Sequence, residues 1–474
     1  MSGSRSLRKA NRRGVPAFAV AVAIALVAVV SASAAGAGGT RAQTPNARAD
    51  EPPLPPSAVA AATRAARSIV HGKKLGGSVD FLGVVTGGPA DALLAALKPF
   101  ESAAGVDVKY EATFSQQSIL QTRIQAGNPP DVVFSAYPRQ LVNLAKAGKL
   151  VPLSNVVNLR AVRKQYPKPL LDLGSVRGKL YAYFSIVNYH ALMWFNSAKY
   201  TGPRSPTWAQ LQAWTKRSAQ QGKPPWCLGI ESGAATGWPA ANELLDALFI
   251  RRYGPKLAAQ WEAGKLKWTS PQVRWAWRQV GAIFTDPKMV AGGAPAVAST
   301  NFLAAGNGMF SSPPSCYLLS QAQWYGSYAA AAVHGASASN VGYFRFPTVT
   351  PAFKNLQMVD GNQVALLKNG AQARALVAYM ATPEFATLLA ASGQFFVPNA
   401  AVSTSTYPTP AARGLVQRLV KSKSAKSSTI LLPSVLFPVP VTNQFFKNLS
   451  SYLQEPGKLD TLLKDMDAVV KRSR

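Results

Sequence analysis

An α/β fold with a doubly wound parallel sheet is the fold class that this sequence predicts. Two observations support it: strand-like and helix-like segments alternate from residue 79 to residue 153, and the loops after two of the strands contain polar residues and glycine. Alternation of this kind is typical of parallel sheets whose faces are covered by helices. Because ligands bind at the carboxyl ends of the strands in such sheets, we expect a ligand site in these loops.

The predicted elements follow one another in a regular order. Apolar runs and helical spacing of apolar residues predict a strand, helix, strand, helix and strand over residues 79–85, 91–100, 106–110, 118–126 and 131–134. Thr86 and Gly87 follow the first strand, and Ser135 and Tyr137 follow the third. We therefore predict that these four residues contribute to ligand binding.

The first 37 residues have the features of an export signal peptide. Basic residues precede an uncharged, mostly apolar run over 15–30, and the small residues that follow predict cleavage after Ala34 or Ala37. The alternative is an uncleaved anchor, because residues 15–37 approach the ~20 residues that a membrane-spanning helix needs. No cysteine precedes Cys227, so a lipid-modified cysteine does not anchor this N-terminus. We predict an exported protein of the periplasm or cell surface.

Residues 38–77 are predicted to form a flexible tether ahead of the folded body. The segment is rich in proline, alanine and glycine and contains the run Pro52-Pro53-Leu54-Pro55-Pro56, a composition typical of linkers. A short helix over 58–70 is compatible with the sequence, although nothing in the sequence indicates what would cover its apolar face.

The composition predicts a globular protein with a strongly basic surface. Hydrophobic residues make up 48% of the chain and charged residues 15%, which is enough to build a sizeable core. Lys and Arg outnumber Asp and Glu by 51 to 20, for a net charge of +31. Such a charge attracts nucleic acid, anionic polymers or acidic ligands. Because the chain is exported and lacks a nucleic-acid-binding motif, we expect no nucleic-acid partner; the scattered basic residues favour a solvated surface.

Cys227 and Cys316 are the two cysteines, and an oxidising compartment favours a disulfide between them over two free thiols. Closing a loop of this length is worth on the order of 4 kcal/mol in the chain-entropy model. No metal site or cofactor is predicted, because the three histidines are not paired with one another or with a cysteine at ligand spacing.

Several motifs in order resemble the extracellular solute-binding proteins of ABC importers, the class that includes maltose-binding proteins. They are Gly-Asn-Pro-Pro-Asp-Val-Val-Phe at 127–134, Ala-Gly-Lys-Leu-Val-Pro-Leu at 147–153, Gly-Lys-Leu-Tyr-Ala at 178–182, Leu-Met-Trp-Phe-Asn at 192–196 and Pro-Thr-Trp-Ala-Gln-Leu at 206–211. The segment 224–239, with Cys227, Glu-Ser and Gly-Trp-Pro, and the segment 313–316 resemble the α-glucoside-type branch. The resemblance extends from about residue 79 to the end.

The resemblance implies two α/β lobes, each with a doubly wound sheet, and a ligand cleft between them. Carried onto this chain, the first lobe comprises 78–187 and 360–393, and the second comprises 188–355 and 396–474. The hinge crossings are then expected near 184–189, 357–362 and 393–399. Lobe closure around a ligand is a hinge motion.

The same resemblance, together with the chemistry of sugars, indicates candidate cleft residues. Trp238 is the first choice for stacking on a sugar ring, and the alternative is a packing tryptophan. Glu231, at a strand end, is expected to accept hydroxyl hydrogen bonds or to cap the following turn. Asn362 stands where many relatives have aspartate, and either Asp360 substitutes for that aspartate or the contact is lost. His190 stands where the α-glucoside-type branch tends to carry lysine.

The leading functional hypothesis is a receptor that delivers a carbohydrate, an α-glucoside or another oligosaccharide, to membrane ABC permease subunits. We expect a monomer and no catalysis: Glu231 lacks an evident carboxylate partner for a glycosidase, with Glu243 and Asp246 on a helix predicted behind it. The alternatives are a receptor for an anionic solute, such as a sugar acid, and a basic wall-associated protein without a transport role. A set of Arg or Lys side chains inside the cleft would favour the anionic solute.

Overall fold

The structure is a computed structural model and describes residues 53–409, 412–414, 416–417 and 429–473. The predicted signal peptide and the first part of the predicted tether lie outside the described residues. None of the described helices is long and apolar enough to cross a membrane.

Helices make up much of the described chain and alternate with strands in its first half. The helices are α1 (Pro56–Ile69), α2 (Gly88–Ala104), α3 (Gln116–Gln125), α4 (Pro138–Lys146), α5 (Leu159–Gln165), α6 (Lys168–Asp172), α7 (Trp208–Gln220), α8 (Trp238–Ala240), α9 (Ala247–Glu262), α10 (Pro271–Phe284), α11 (Gly293–Ser299), α12 (Trp324–Ala332), α13 (Ala371–Met380), α14 (Pro383–Ala391), α15 (Pro433–Leu436), α16 (Val439–Gln454) and α17 (Leu459–Arg472). A π-helical segment, Ala241–Asp246, joins α8 to α9.

Capping residues set several helix starts. Ser270 accepts a hydrogen bond from the backbone of Val273, with Pro271 in the first turn of α10. Thr207 and Gln210 form a capping box at the start of α7. Each cap satisfies backbone N–H groups that have no partner within the helix.

The first lobe is built on a six-stranded mixed sheet. Its strands are β1 (Ser78–Gly83), β2 (Asp107–Ala112), β3 (Val132–Ser135), β6 (Ala182–Tyr189), β10 (Gln357–Leu366) and β11 (Thr429–Leu431), in the order β11-β10-β3-β1-β2 with β6 also paired to β10. β1 pairs in parallel with β2 and β3, as the alternating sequence predicts. The short strands β4 (Ser175–Val176) and β5 (Lys179–Leu180) form a separate hairpin.

The second lobe contains a smaller sheet of a different kind. β7 (Leu192–Asn196) is the central strand between β8 (Leu319–Gln321) and β9 (Val341–Arg345), and both pairings are antiparallel. Parallel neighbours occur here only as isolated bridges among the described residues, at Trp226 for example. The lobe is therefore α/β as predicted, but both strand pairings in its sheet are antiparallel.

Strand β10 passes from one lobe to the other. Near its start, the side chain of Met358 lies in the core of the second lobe, whereas its last residues, Gln363 to Leu366, pair with β3 of the first lobe. Along its other side β10 pairs with β6, and Val187 of β6 bridges to Phe396. The three segments predicted as crossings thus lie side by side, which is the arrangement that a hinge requires.

Helix α1 corrects the expectation of a tether over its residues. Ala62, Ala66 and Val70 are fully or almost fully buried in the core of the first lobe. The helix packs against α2 and α14, which cover the apolar face for which the sequence offered no partner. The folded body therefore begins by residue 56 and not at residue 78.

The expected return to the second lobe at residue 396 is also wrong. The backbone N–H of Ala400 donates to the carbonyl of Gln165, and Tyr407 packs edge-on against Phe396 within the core of the first lobe. Among the described residues, the second lobe resumes at Leu432, whose side chain joins that lobe's core. The order of predicted helices and breaks in the sequence does not show whether the chain stays on one lobe or crosses to the other.

The predicted disulfide is confirmed. Cys227 and Cys316 are bonded, with their Cα atoms 5.2 Å apart. Both residues are buried beside β8, so the bond fastens the segment after α7 to the segment before β8.

Candidate ligand-binding cleft

A cleft of about 200 Å³ lies between the two lobes, beside the crossing strands. Its first-lobe wall consists of the loops that follow β1, β2 and β3, which end at the same edge of the parallel part of the sheet. Its second-lobe wall comes from α8, the π-helical segment and the loop around Phe302. The site expected at strand ends therefore faces the other lobe.

Three of the four strand-end candidates line the cleft. Thr86 and Gly87 form the entry to α2, and Tyr137 lies at the entry to α4. Burial, with a contribution from nearby Asp360, raises the pKa of Tyr137 to about 12, so its hydroxyl stays protonated. Ser135 is buried and does not line the cleft; its Oγ accepts a hydrogen bond from Tyr137 N at 3.1 Å and fixes the loop.

The floor of the cleft is polar and is built by the crossing strands. Asp360 Oδ1 accepts a hydrogen bond from Asn188 Nδ2 at 2.9 Å, while its Oδ2 has no hydrogen-bond partner among the described residues. Asn362 is 4% exposed, and its Nδ2 also has no partner in the described part of the chain. The floor thus offers one carboxylate oxygen as acceptor and one amide as donor, which suits a hydroxyl group.

His190 links this floor to the second lobe. Its Nδ1 lies 2.6 Å from Glu243 Oε1, and its Nε2 lies 2.9 Å from Asp360 Oδ1. Burial by itself lowers the pKa of His190, but the Asp360 and Glu243 carboxylates outweigh it and raise the pKa to about 10. The imidazole is therefore positively charged at neutral pH, held between two carboxylates.

Glu243 lies on the π-helical segment, and its carboxylate contacts the turn around His190. Its Oε2 accepts a hydrogen bond from Ala191 N at 2.7 Å, so both carboxylate oxygens contact residues of the turn at His190 and Ala191. Segments of this kind are frequent at functional sites. Here the wider turn directs Glu243 toward the crossing strands, while the adjacent Asn242 lines the cleft.

An aromatic cluster forms the mouth of the cleft. Trp238 and Trp324 pack edge-on against Phe302, with ring centroids 5.1 and 5.8 Å away, and Phe302 in turn meets Phe114 of the first lobe at 5.0 Å. Trp238 is half-buried, and its Nε1 donates to Ser232 Oγ at 2.9 Å. All four rings line the cleft.

The turn before Trp238 requires a glycine. Gly237 has a φ of 104°, and a Cβ there would lie 2.3 Å from the carbonyl oxygen of Phe446. A backbone conformation of this kind is accessible to glycine and strained for other residues. The Gly-Trp-Pro motif therefore fixes the position of the tryptophan at the mouth.

Glu231 does not line the cleft, contrary to the preferred role. Its Oε1 accepts a hydrogen bond from Gly233 N at 2.8 Å, and its Oε2 accepts one from Asn301 Nδ2 at 2.7 Å. These bonds lower the pKa of Glu231. The carboxylate therefore takes the alternative role, capping its own turn and holding Asn301, the residue before Phe302.

The lining of the cleft contains neither lysine nor arginine among the described residues. Among the described residues, its ionisable groups are His190, Asp360, Tyr328 and the neutral Tyr137, with Glu243 directly behind His190. The surplus of positive charge in the chain therefore lies outside the cleft. A clustered set of basic side chains, which would have favoured an anionic solute, is not found in this part of the structure.

Several residues of the cleft were not among the predicted site residues. His190 was noticed only as a departure from a family pattern, because a lone histidine gives no signal until its carboxylate partners are known. Phe302 and Phe114 belong to no motif, and they meet only because two loops distant in sequence face each other across the cleft. A contact between residues of two different lobes, such as Phe114 and Phe302, produces no local pattern that one sequence could show.

The model of the family named bacterial extracellular solute-binding protein matches residues 86–387. The osmoprotective compounds-binding protein GgtB of Synechocystis sp. is 30% identical over 357 residues, which is 75% of this chain and 84% of that protein. The alpha-glucosides-binding periplasmic protein AglE of Rhizobium meliloti is 32% identical over 327 residues, covering 66% of this chain and 70% of that protein.

Solved structures share the fold at lower identity. A chitin oligosaccharide binding protein superposes with a TM-score of 0.69 at 20% identity, covering 84% of this chain and 98% of that one. The maltose-bound MalE3 of T. maritima gives a TM-score of 0.63 at 15% identity, covering 84% and 99%. The two-lobed α/β architecture predicted from the sequence is confirmed by this likeness.

Proposed function

Because the chain belongs to the bacterial extracellular solute-binding proteins of ABC importers, and is a binding protein and not an enzyme, we propose that it is a receptor for a neutral carbohydrate. The observation that carries this proposal is the composition of its cleft. A polar floor with an unpaired carboxylate oxygen and amide stands opposite a mouth made of aromatic rings.

This combination matches the two kinds of surface that a sugar presents. The C–H faces of a sugar ring pack on aromatic side chains, and its hydroxyl groups exchange hydrogen bonds with carboxylates and amides. We assign the stacking role to Trp238 and the hydroxyl contacts to Asp360 and Asn362. Thr86, Gly87 and Tyr137 complete the first-lobe wall, while Ser135 and Glu231 act by holding neighbouring residues.

The charge of the cleft favours a neutral solute over an anionic one. Burying an anion requires a paired cation, and the one cation among the described lining residues, His190, already lies between two carboxylates. A sugar acid or sugar phosphate would add a further negative charge beside Asp360. Within the described part of the chain, the excess of basic residues therefore does not extend into the lining of the cleft.

The relatives support an α-glucoside or a similar small compound as the solute, since one is named for α-glucosides and the other for osmoprotective compounds. In the proposed cycle, the exported receptor closes around the sugar through its crossing strands and delivers it to the membrane subunits of an ABC importer. The receptor is proposed to act as a monomer.

A thermal-shift screen of residues 53–474 tests the proposal. The panel contains neutral mono-, di- and trisaccharides, with sugar acids and sugar phosphates as matched charged controls. A ligand at a hundredfold over its dissociation constant adds about 2.7 kcal/mol to the free energy of unfolding, so a true ligand gives a clear rise in Tm.

A rise with neutral sugars alone supports the proposal and identifies the class of solute. A rise with the charged controls and not with neutral sugars contradicts it in favour of an anionic solute. No rise with any compound in the panel also contradicts it, and the wall-associated function then becomes the leading hypothesis.

A further inference from the structure

The cleft is closed at the end that lies farthest from the hinge. The strand ends that face the cleft follow the order β10, β3, β1, β2 along the sheet. Asp360 and Asn362 belong to β10, whereas Phe114 follows β2 at the outer edge. Phe114 meets Phe302 of the second lobe there, so the two lobes touch at the outer end of the row.

A second contact between the lobes closes one flank. The Nε of Arg139, in the first turn of α4, donates to the carbonyl oxygen of Leu436 in α15 at 3.1 Å. α4 belongs to the first lobe and follows Tyr137, while α15 belongs to the second and its Val435 lines the cleft. The cleft is thus bounded by the crossing strands, by this flank and by the phenylalanine pair.

The enclosed space is short as a result. Four neighbouring strands span three strand spacings, roughly 14 Å between backbones, and the side chains of the floor and the mouth occupy part of that length. The volume of about 200 Å³ is below the ~300–1,000 Å³ typical of pockets that bury drug-sized ligands. A long saccharide therefore cannot lie along the cleft without separating Phe114 from Phe302.

Phe302 is the more rigidly held of the two phenylalanines that close the cleft. It is 2% exposed and is held between Trp238 and Trp324, whereas Phe114 is half-buried on a loop between β2 and α3. Glu231 adds to the rigidity, because it bonds Asn301 directly before Phe302. The phenylalanine on the first lobe is the more readily altered half of the pair.

We infer that the Phe114–Phe302 contact limits the receptor to solutes of one or two sugar rings and excludes longer saccharides. This inference rests on the proposed function, since it presumes a carbohydrate in the cleft. It assigns to Phe114 and Phe302 a role in specificity that is separate from the hydrogen bonding of the floor.

Isothermal titration of the protein with an α-linked glucose series from one to four units tests the inference. We expect the wild type to bind its preferred mono- or disaccharide at least about thirtyfold more tightly than the tetrasaccharide. Phe114→Ala should lower that ratio about tenfold or more, whatever happens to the affinity for the shorter sugar. Phe114→Leu, which keeps an apolar side chain in place, is the matched control and should retain most of the ratio.

The outcomes separate this inference from the proposed function. If the wild type binds the tetrasaccharide as tightly as the disaccharide, the size limit is overturned. The proposed function as a carbohydrate receptor is then still supported. An unchanged ratio in Phe114→Ala also overturns the assigned role. No binding by any of the four sugars counts against both.

Discussion

The floor and the mouth of the cleft differ in nearly every physical property. The floor is polar and buried, and it combines Asp360, Asn362 and a charged His190. The mouth is aromatic, and its members touch one another through ring edges instead of hydrogen bonds. Asp360 and Asn362 of the floor lie on a strand that crosses between the lobes, whereas the rings of the mouth come from two loops and two helices. One end of the cleft can therefore recognise hydroxyl groups, and the other recognises shape and size.

The contrast also distinguishes the two carboxylates that the sequence analysis proposed as ligand contacts. Glu231 uses both oxygens within its own lobe, on Gly233 and Asn301. Asp360 keeps one oxygen without a partner among the described residues and lies on the crossing strand. Glu231, whose two oxygens both accept hydrogen bonds, supports the mouth. Asp360 has one oxygen left that can accept a hydrogen bond from a ligand.

The largest expected effect on sugar affinity comes from removing the negative charge of Asp360 in the floor. Asp360→Asn should weaken sugar binding by about 2 kcal/mol, roughly thirtyfold, because a hydrogen bond to a charged acceptor is worth about 1.5–3 kcal/mol. Glu231→Gln is the matched control and should change the affinity by less than about threefold. Calorimetric titration with the sugar found in the screen measures both, and equal losses in the two variants would remove the distinction between these carboxylates.

A smaller effect is expected from the mouth. Trp238→Ala should weaken binding about tenfold through the loss of a stacking surface, while far-UV circular dichroism stays near that of the wild type. Trp275→Ala provides a control, because Trp275 is also half-buried but packs against Tyr253 and Arg252 away from the cleft. An unchanged affinity in Trp238→Ala would exclude this tryptophan from the site.

The last expected effect is on stability instead of affinity: it concerns pH and separates the titrating floor from the neutral mouth. The pKa of His190 is raised to about 10, so its stabilising contribution is complete below its ordinary value of about 6.5 and is lost as the pH rises through 10. Between pH 8 and 10 the free energy of unfolding should fall by up to about 1.4 kcal/mol per pH unit from this one proton.

Urea unfolding at pH 8, 9 and 10 measures this slope. The His190→Gln variant should show a flatter dependence over the same range, because glutamine does not titrate. Trp238→Ala should keep the wild-type slope even though it weakens binding. A slope that is identical in wild type and His190→Gln would mean that the histidine is not held in its charged form.

The sequence predicted the first lobe well because its signals are local. Parallel strands linked by helices leave alternating runs of apolar residues, and β1, β2 and β3 pair as expected. The disulfide was likewise predictable, from two cysteines in an exported chain. Six of the eight predicted ligand residues line the cleft, since strand ends and the Gly-Trp-Pro turn are features of the local chain.

What the sequence could not predict depends on contacts between distant segments. The partners of His190 lie 53 and 170 positions away in the chain, and a buried charge becomes visible only when they meet. The role of Glu231 was decided by Asn301, which no motif connects to it. The packing of residues 396–407 on the first lobe and the antiparallel second sheet depend on the path of the chain in space.

The docking of α1 on the first lobe has a mechanical consequence. Chain that precedes Pro53 joins the body through a helix packed on α2 and α14. Tension applied through that chain is transmitted first to the first lobe and reaches the second only through the crossing strands. When the receptor is held by its N-terminus, the first lobe stays in place and the second lobe moves during hinge closure.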